Sequence, residues 1–160
     1  MKWHKEKPSY VNCEVSDNFK QFSYFKEWCN KQIGFNSEDD KGNHFALDKD
    51  ILVKGNKLYS EETCCFIPQE INAFFISRKA QRGIYPVGVS YHATSGKFAA
   101  QISLYGIYHT LGLFETETEA FLAYKQSKEG YLKELAEKWK DQVDSRVYEA
   151  LMNWEVSIDD

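Results

Sequence analysis

The sequence predicts an α+β protein: a strand–turn–strand–helix module, then a three-stranded antiparallel sheet packed on a long helix. Three observations predict it. Short apolar runs in the first half are separated by Gly55-Asn56 and closed by Pro68. From Lys97 to Tyr105 the residues alternate, with Phe98, Ala100, Ile102 and Leu104 on one side and Lys97, Ala99, Gln101, Ser103 and Tyr105 on the other, which is the period of a half-buried strand. Thr116 and Glu119 then form a capping box ahead of a long apolar stripe.

The elements follow in order. Residues 1–15 read as irregular, with Pro8 among them. Ser16, Asp17 and Asn18 offer capping oxygens for a helix, in which Phe19, Phe22, Phe25 and Cys29 recur at helical spacing, with Trp28 and Ile33 nearby. Gly34 is placed to end it. The polar stretch 36–43 is a loop. Leu47 and Ile51–Val53 are apolar, Gly55-Asn56 is a turn, Cys64–Ile67 reads as a short strand, and Pro68 opens a short helix ending near Phe75. Residues 77–83, Ser-Arg-Lys-Ala-Gln-Arg-Gly, make a linker. Tyr85–Tyr91, Lys97–Tyr105 and Ile107–Leu113 follow as strands joined by short turns, hence antiparallel. Ala120, Tyr124, Leu132, Leu135 and Trp139 give the long helix its apolar stripe. Val143, Val147, Leu151 and Trp154 suggest a further helix. The expected organisation is a first module at 1–77, a sheet-plus-helix module at 84–140 and a C-terminal helical extension at 141–160.

Composition sets limits on function. At 160 residues the chain holds one domain or two small ones, and an aromatic content of 16% supplies core even to small modules. No run approaches the roughly 18 apolar residues of a membrane span. The basic start, MKWHKEKPSYVNC, lacks the apolar centre of a secretory signal, so a cytoplasmic protein is expected (host-cell cytoplasm if phage-encoded). Cys13, Cys29, Cys64 and Cys65 include no C-x-x-C pair and read as reduced, partly buried thiols rather than a zinc site.

The net charge of −4 hides an uneven distribution. Twelve acids lie up to Glu70 and twelve from Glu115 onward, with none in the 44 residues from Ile71 to Phe114. That window carries Arg78, Lys79, Arg82 and Lys97, with His92 and His109. Brought together, these would attract a polyanion. The alternative is a set of strands that merely carry few charges.

Two resemblances sharpen the reading. Gly88 to Tyr124, GVSYHATSGKFAAQISLYGIYHTLGLFETETEAFLAY, is similar to the APETALA or ethylene-responsive-factor DNA-binding domain. The marks are Gly-Val before an aromatic, Ser-Gly-Lys-Phe before the second strand, Leu-Gly-x-Phe-x-Thr before the helix and Glu-Ala-x-x-Ala-Tyr within it. The resemblance implies double-stranded DNA as partner, with the sheet in a major groove wide enough for strands. By position it nominates Tyr91, His92, Lys97, Gln101, Ser103, Tyr105 and His109, with Arg78, Lys79 and Arg82 as phosphate contacts. It departs from the family in carrying one cation, Lys97, on the strands. Residues 10–75, with LDKDI, KGNK, Tyr59-Ser60, Cys65–Pro68 and Ile71-Asn72, resemble bacteriophage HNH-type nuclease-like proteins. That resemblance implies one divalent cation, Mg²⁺ or Mn²⁺, held by Asp48 and Asn72, with Asn56 orienting the base. Lys49 then occupies the general-base position. A solvated lysine is protonated at neutral pH and takes no proton from water, so His44, four residues before Asp48, is the substitute.

Three readings stay open: a metal-dependent HNH endonuclease, a DNA-binding relative with weakened or absent cleavage, and a stretch where Asp48, Asp50 and Asn56 cap turns and Lys49 makes a surface salt bridge. A different class also stands, a phage anti-defence protein that binds a host defence protein or sequesters a small signalling molecule. Its sequence basis is the C-terminal region, where twelve acids from Glu115 face six cations. No membrane partner is implied, and the C-terminal helix packs either on its own chain or on a second copy in a homodimer.

Overall fold

The computed structural model describes residues 10–76 and 82–160. They form four helices and seven strands in mixed α+β order, and among the described residues no helix is long and apolar enough to cross a membrane. The chain forms two compact units. One runs to Asn72 and takes in Trp139–Ala150; the other comprises Ala73–Lys138 and Leu151–Asp160. The C-terminal region, read from sequence as a separate extension, is thus divided between them.

In the first unit, β1 (Glu14–Val15) pairs in parallel with β3 (Leu58–Tyr59), and β2 (Ala46–Asp48) pairs antiparallel with β4 (Cys65–Ile67). Helix α1 (Phe22–Lys31) starts three residues after Phe19. Phe19 is buried against Phe25 at 5.0 Å and Trp28 at 4.7 Å. Phe22, expected on the same stripe, is 78% exposed. Trp28 and Phe35 reach Phe66 of β4, with centroids at 6.2 and 5.2 Å. Gly34 adopts φ +90°, and a Cβ there would stand 3.0 Å from the Phe45 ring and 3.2 Å from Phe66. Pro68 leads into α2 (Gln69–Phe75), whose Ile71 is fully buried. Trp139 sets its ring edge-on to Phe45 at 5.6 Å and donates its indole N–H to Glu70. All four cysteines are free, and Cys29, Cys64 and Cys65 are buried.

In the second unit, β5 (Val89–His92), β6 (Lys97–Leu104) and β7 (Ile107–Phe114) form an antiparallel sheet in that order. The first strand was expected from Tyr85 but begins at Val89. Pro86 has no N–H for a ladder, its carbonyl accepts from the Val89 N–H at 3.1 Å, and Gly88 turns at φ +74°. β6 and β7 join through Tyr105 (φ 50°) and Gly106 (φ 78°), the two positive-φ positions of a tight hairpin turn. The register shifts between Ala100 and Gln101: Ala100 faces Gly112, Gln101 faces Thr110, and Leu111 is the extra residue of a bulge. The capping box forms as expected. Thr116 Oγ1 accepts from the Glu119 N–H at 3.2 Å, and Glu119 accepts from the Thr116 N–H at 3.1 Å, at the head of α3 (Glu117–Trp139). Ile102, Phe121, Tyr124 and Val156 make the core between sheet and helix, joined by Val87, Val89, Leu104 and Trp154. Trp154, after α4 (Ser145–Met152), packs on Phe75 of the same chain at 4.6 Å.

Candidate functional site

The sequence nominates two places, and each is built by local hydrogen bonding. The first is the turn after β2. Asp48 sits at the end of that strand opposite Cys65 and is 7% exposed. Its Oδ1 accepts the backbone N–H of Asp50 at 2.9 Å and of Ile51 at 2.7 Å, an Asx turn that bends the chain. Burial pushes the Asp48 carboxyl up to about 6, and the neighbouring Asp50 carboxylate adds to the rise against the two backbone donors.

The sequence allows Lys49 a surface salt bridge, but the residue is 8% exposed. Its ammonium lies 3.4 Å from Asp50 Oδ2 and 5.5 Å from the Tyr59 ring centre, held between a carboxylate and an aromatic face. Asn56, nominated to orient a base, uses its side chain on the main chain. Its Nδ2 donates to the carbonyls of Lys49 and Leu58, both at 2.7 Å, and its Oδ1 accepts from the Leu58 N–H at 3.2 Å. The structure therefore brings Asp48, Lys49, Asp50, Asn56 and Tyr59 together.

His44 belongs to a different hairpin, bridged to Glu38, with its ring 3.8 Å from the Glu38 carboxylate and 75% of the side chain exposed. Asn72 lies on α2, half-buried, its N–H bonded to the Pro68 carbonyl at 3.0 Å. Among the described residues no group of three or more His, Cys, Asp or Glu side chains stands close enough to hold a metal ion. Asp48 gives one oxygen to two N–H groups and Asn56 gives its whole amide to the backbone, so these side chains fit turn-building better than a divalent-cation site. Around the turn, burial raises the Cys64 thiol to about 11 and pushes Cys65 and the Tyr59 hydroxyl higher still, which makes both thiols inert rather than nucleophilic.

The second place is the sheet. Residues directly opposite each other share a face, so the register sorts the nominated side chains. His92 faces Lys97, Ser90 faces Ala99, Gln101 faces Thr110 and Ser103 faces Tyr108. His92, Lys97, Gln101 and Ser103 therefore stand on the face away from the Ile102 core. Tyr91 and His109 pair with Phe98 and Ile102 and point to the helix side, although Tyr91 remains 49% exposed at the sheet margin. Tyr105 sits in the hairpin turn with its ring edge-on to Tyr131 at 4.8 Å. Arg78 and Lys79 lie outside the described residues.

The side chains on the open face are organised among themselves. Ser90 Oγ donates to Gln101 Oε1 at 3.2 Å, and His92 Nδ1 lies 2.8 Å from Ser95 Oγ. Ala99, expected to face solvent, is 3% exposed, since Ser90 and Leu113 flank it in register. Lys97 reaches Glu115 Oε1 at 2.5 Å, and Arg82 donates to the main-chain oxygen of Asp160. Sequence reasoning missed Tyr108 and Thr110, both exposed on this face. The signal was present: once the Tyr105-Gly106 turn is set, Ser103 must lie opposite Tyr108. It also missed Glu115, the first acid beyond the acid-free window and the next pair after Phe98 and Phe114. Comparison of the chain with protein-family models, curated proteins and solved structures found no match.

Proposed function

We propose that the chain is a duplex-DNA-binding protein of the bacteriophage HNH-related kind, with cleavage weakened or absent. The observation that carries this reading is the open face of the sheet. One face packs on α3, and the other presents His92, Lys97, Gln101, Ser103, Tyr108 and Thr110 as exposed or half-exposed donors, acceptors and one aromatic. A ribbon of this kind fits a major groove about 12 Å wide, where amides and hydroxyls read base edges. With one cation on the strands, base contacts carry more of this interface than phosphate contacts do. The Asp48 turn supports a scaffolding role: Lys49 is buried in the general-base position and Asn56 is engaged by the backbone.

The test is fluorescence anisotropy with a duplex of about two helical turns across a salt series. The reading expects salt-dependent binding that weakens several-fold in Gln101→Ala with Ser103→Ala. No binding at low salt would end it. Incubation with supercoiled plasmid and Mg²⁺ or Mn²⁺ is expected to give no nicking above a control lacking metal.

A second reading has its own observation. The edge strand β7 carries no charged residue and exposes Ile107, Tyr108, Leu111 and Leu113, which suits strand addition by a protein partner. This is the anti-defence alternative in its protein-binding form, and a stoichiometric host protein whose capture excludes DNA would favour it. For the small-molecule form, the groove beside Lys140, Asp141, Ser145, Tyr148 and Glu149 is open, about 260 Å³, and has a single aromatic.

A further inference from the structure

The acid-free window was expected to present free cations. The two that the structure describes are both occupied, each by a group from beyond the window. Lys97, on the open face, is held by Glu115, which follows β7 directly and lies opposite Lys97 by continuation of the Phe98–Phe114 register. Arg82 donates one guanidinium nitrogen to the Asp160 main-chain oxygen, while its Nε is buried without a partner. The segment that holds it is a closed turn. The Ser157 N–H bonds Asp160 Oδ2 at 2.9 Å, and the Asp160 N–H bonds the Ser157 carbonyl at 3.2 Å. The turn is anchored just before, where Val156 is buried, its N–H bonds Glu129 at 2.8 Å and its carbonyl accepts from Lys125 at 2.9 Å. Burial raises the Tyr124 hydroxyl, while the Arg82 charge lowers it and the Asp160 charge raises it.

We infer that the sheet unit carries its own competitor for a polyanion: Glu115 and the Ser157–Asp160 turn occupy Lys97 and Arg82 until a ligand of dense negative charge displaces them. This rests on the nucleic-acid reading above and narrows it. The Lys97–Glu115 pair is 41% and 72% exposed on its two sides, so it is weak in water and screened by salt. A single phosphate has no condensed counterions to release. A strand of phosphates does, and that release favours displacement of the partner at either cation. The device therefore selects a polyanion over a free anion, although the nominated cations are few.

Two double-mutant cycles test it, read as duplex affinity by anisotropy at two salt concentrations. Glu115→Gln is expected to tighten binding about 3–10-fold and to steepen the salt slope by up to about one phosphate. Lys97→Ala is expected to cost little in the parent chain and several-fold in the Glu115→Gln background. Asp160→Ala, which opens the turn, should make Arg82→Ala costly in the same way, while Asp160→Asn retains an oxygen for the Ser157 N–H and should fall between. Strict additivity in both cycles would overturn the inference, because loss of a nearby negative charge alone tightens binding without coupling to either cation. If the parent chain and every variant fail to bind duplex, the DNA reading itself falls. If the parent binds and the cycles are additive, only the masking falls. Inorganic phosphate at millimolar concentration should leave parent binding unchanged beyond its ionic strength. Competition at that level would also overturn the selectivity claimed here.

Discussion

Gly88 lies against the ring of Tyr124 so closely that a Cβ on it would stand 2.1 Å from Cδ2 and 2.3 Å from Cγ. The same residue turns the chain at φ +74° to start β5. Close approach and backbone conformation therefore demand glycine together, and they explain why a Gly-Val step opens the sheet. Gly88→Ala is expected to destabilise the sheet unit by about 2–4 kcal/mol, from the φ penalty plus overpacking. Thermal unfolding followed by circular dichroism reads the loss. Pairing it with Tyr124→Ala should restore little, because the φ penalty remains and a buried aromatic is removed.

Asp48 gives a pH prediction of defined sign. Its carboxyl is raised in the fold to about 6 from an ordinary 3.8, so the folded state holds the proton more tightly than the unfolded chain. This contribution is fully present at acid pH and is lost as pH rises toward and through about 6. Asp48→Asn keeps an oxygen for the Asp50 and Ile51 N–H groups and removes the buried charge. It should therefore gain stability over the parent at pH 7.5 and gain none near pH 4, by urea unfolding at each pH. A loss at pH 7.5 that Mg²⁺ reverses in the parent only would instead make Asp48 a metal ligand.

Asn56 closes the turn from inside, with three side-chain bonds to backbone groups. Asn56→Asp keeps the shape and deletes both N–H donors, leaving the Lys49 and Leu58 carbonyls without them. The expected cost is about 1–3 kcal/mol of stability, measured by chemical denaturation. An unchanged midpoint would mean that the turn stands without its amide.

Tyr108 tests the open face separately from charge. It is 73% exposed and lies opposite Ser103, so Tyr108→Ala should leave the melting temperature within a degree or two. Duplex affinity should fall several-fold with an unchanged salt slope, because stacking and apolar contact rather than a phosphate contact are removed. A slope change without loss of affinity at low salt would place Tyr108 outside the interface.

What the sequence disclosed was mostly local. The capping box needs two residues three positions apart, and the hairpin turn needs Gly106 beside one tolerant neighbour, so both could be read directly. The alternation of β6 could be read as far as Ala100. Beyond it the bulge depends on which residue of β7 lies opposite, and periodicity within one strand does not carry that information. Tyr91 and His109 were grouped with Lys97 for a related reason: position in a motif does not report the face. At Asp48, residue type alone does not say whether a carboxylate oxygen meets a cation or two backbone N–H groups. The charge window includes Lys97 and Arg82, but Glu115 and Asp160 come from sequence outside it, and only pairing across the fold reveals them.

The extra residue at Leu111 has a consequence for the free side of β7. A regular strand with no lysine or glutamate along eight residues would be an open template for fibril growth. Where Leu111 interrupts the repeat, the spacing of outward N–H and C=O groups slips and the local twist tightens, so an incoming chain finds two short stretches instead of one long one. Shape here does the guarding that charge does elsewhere.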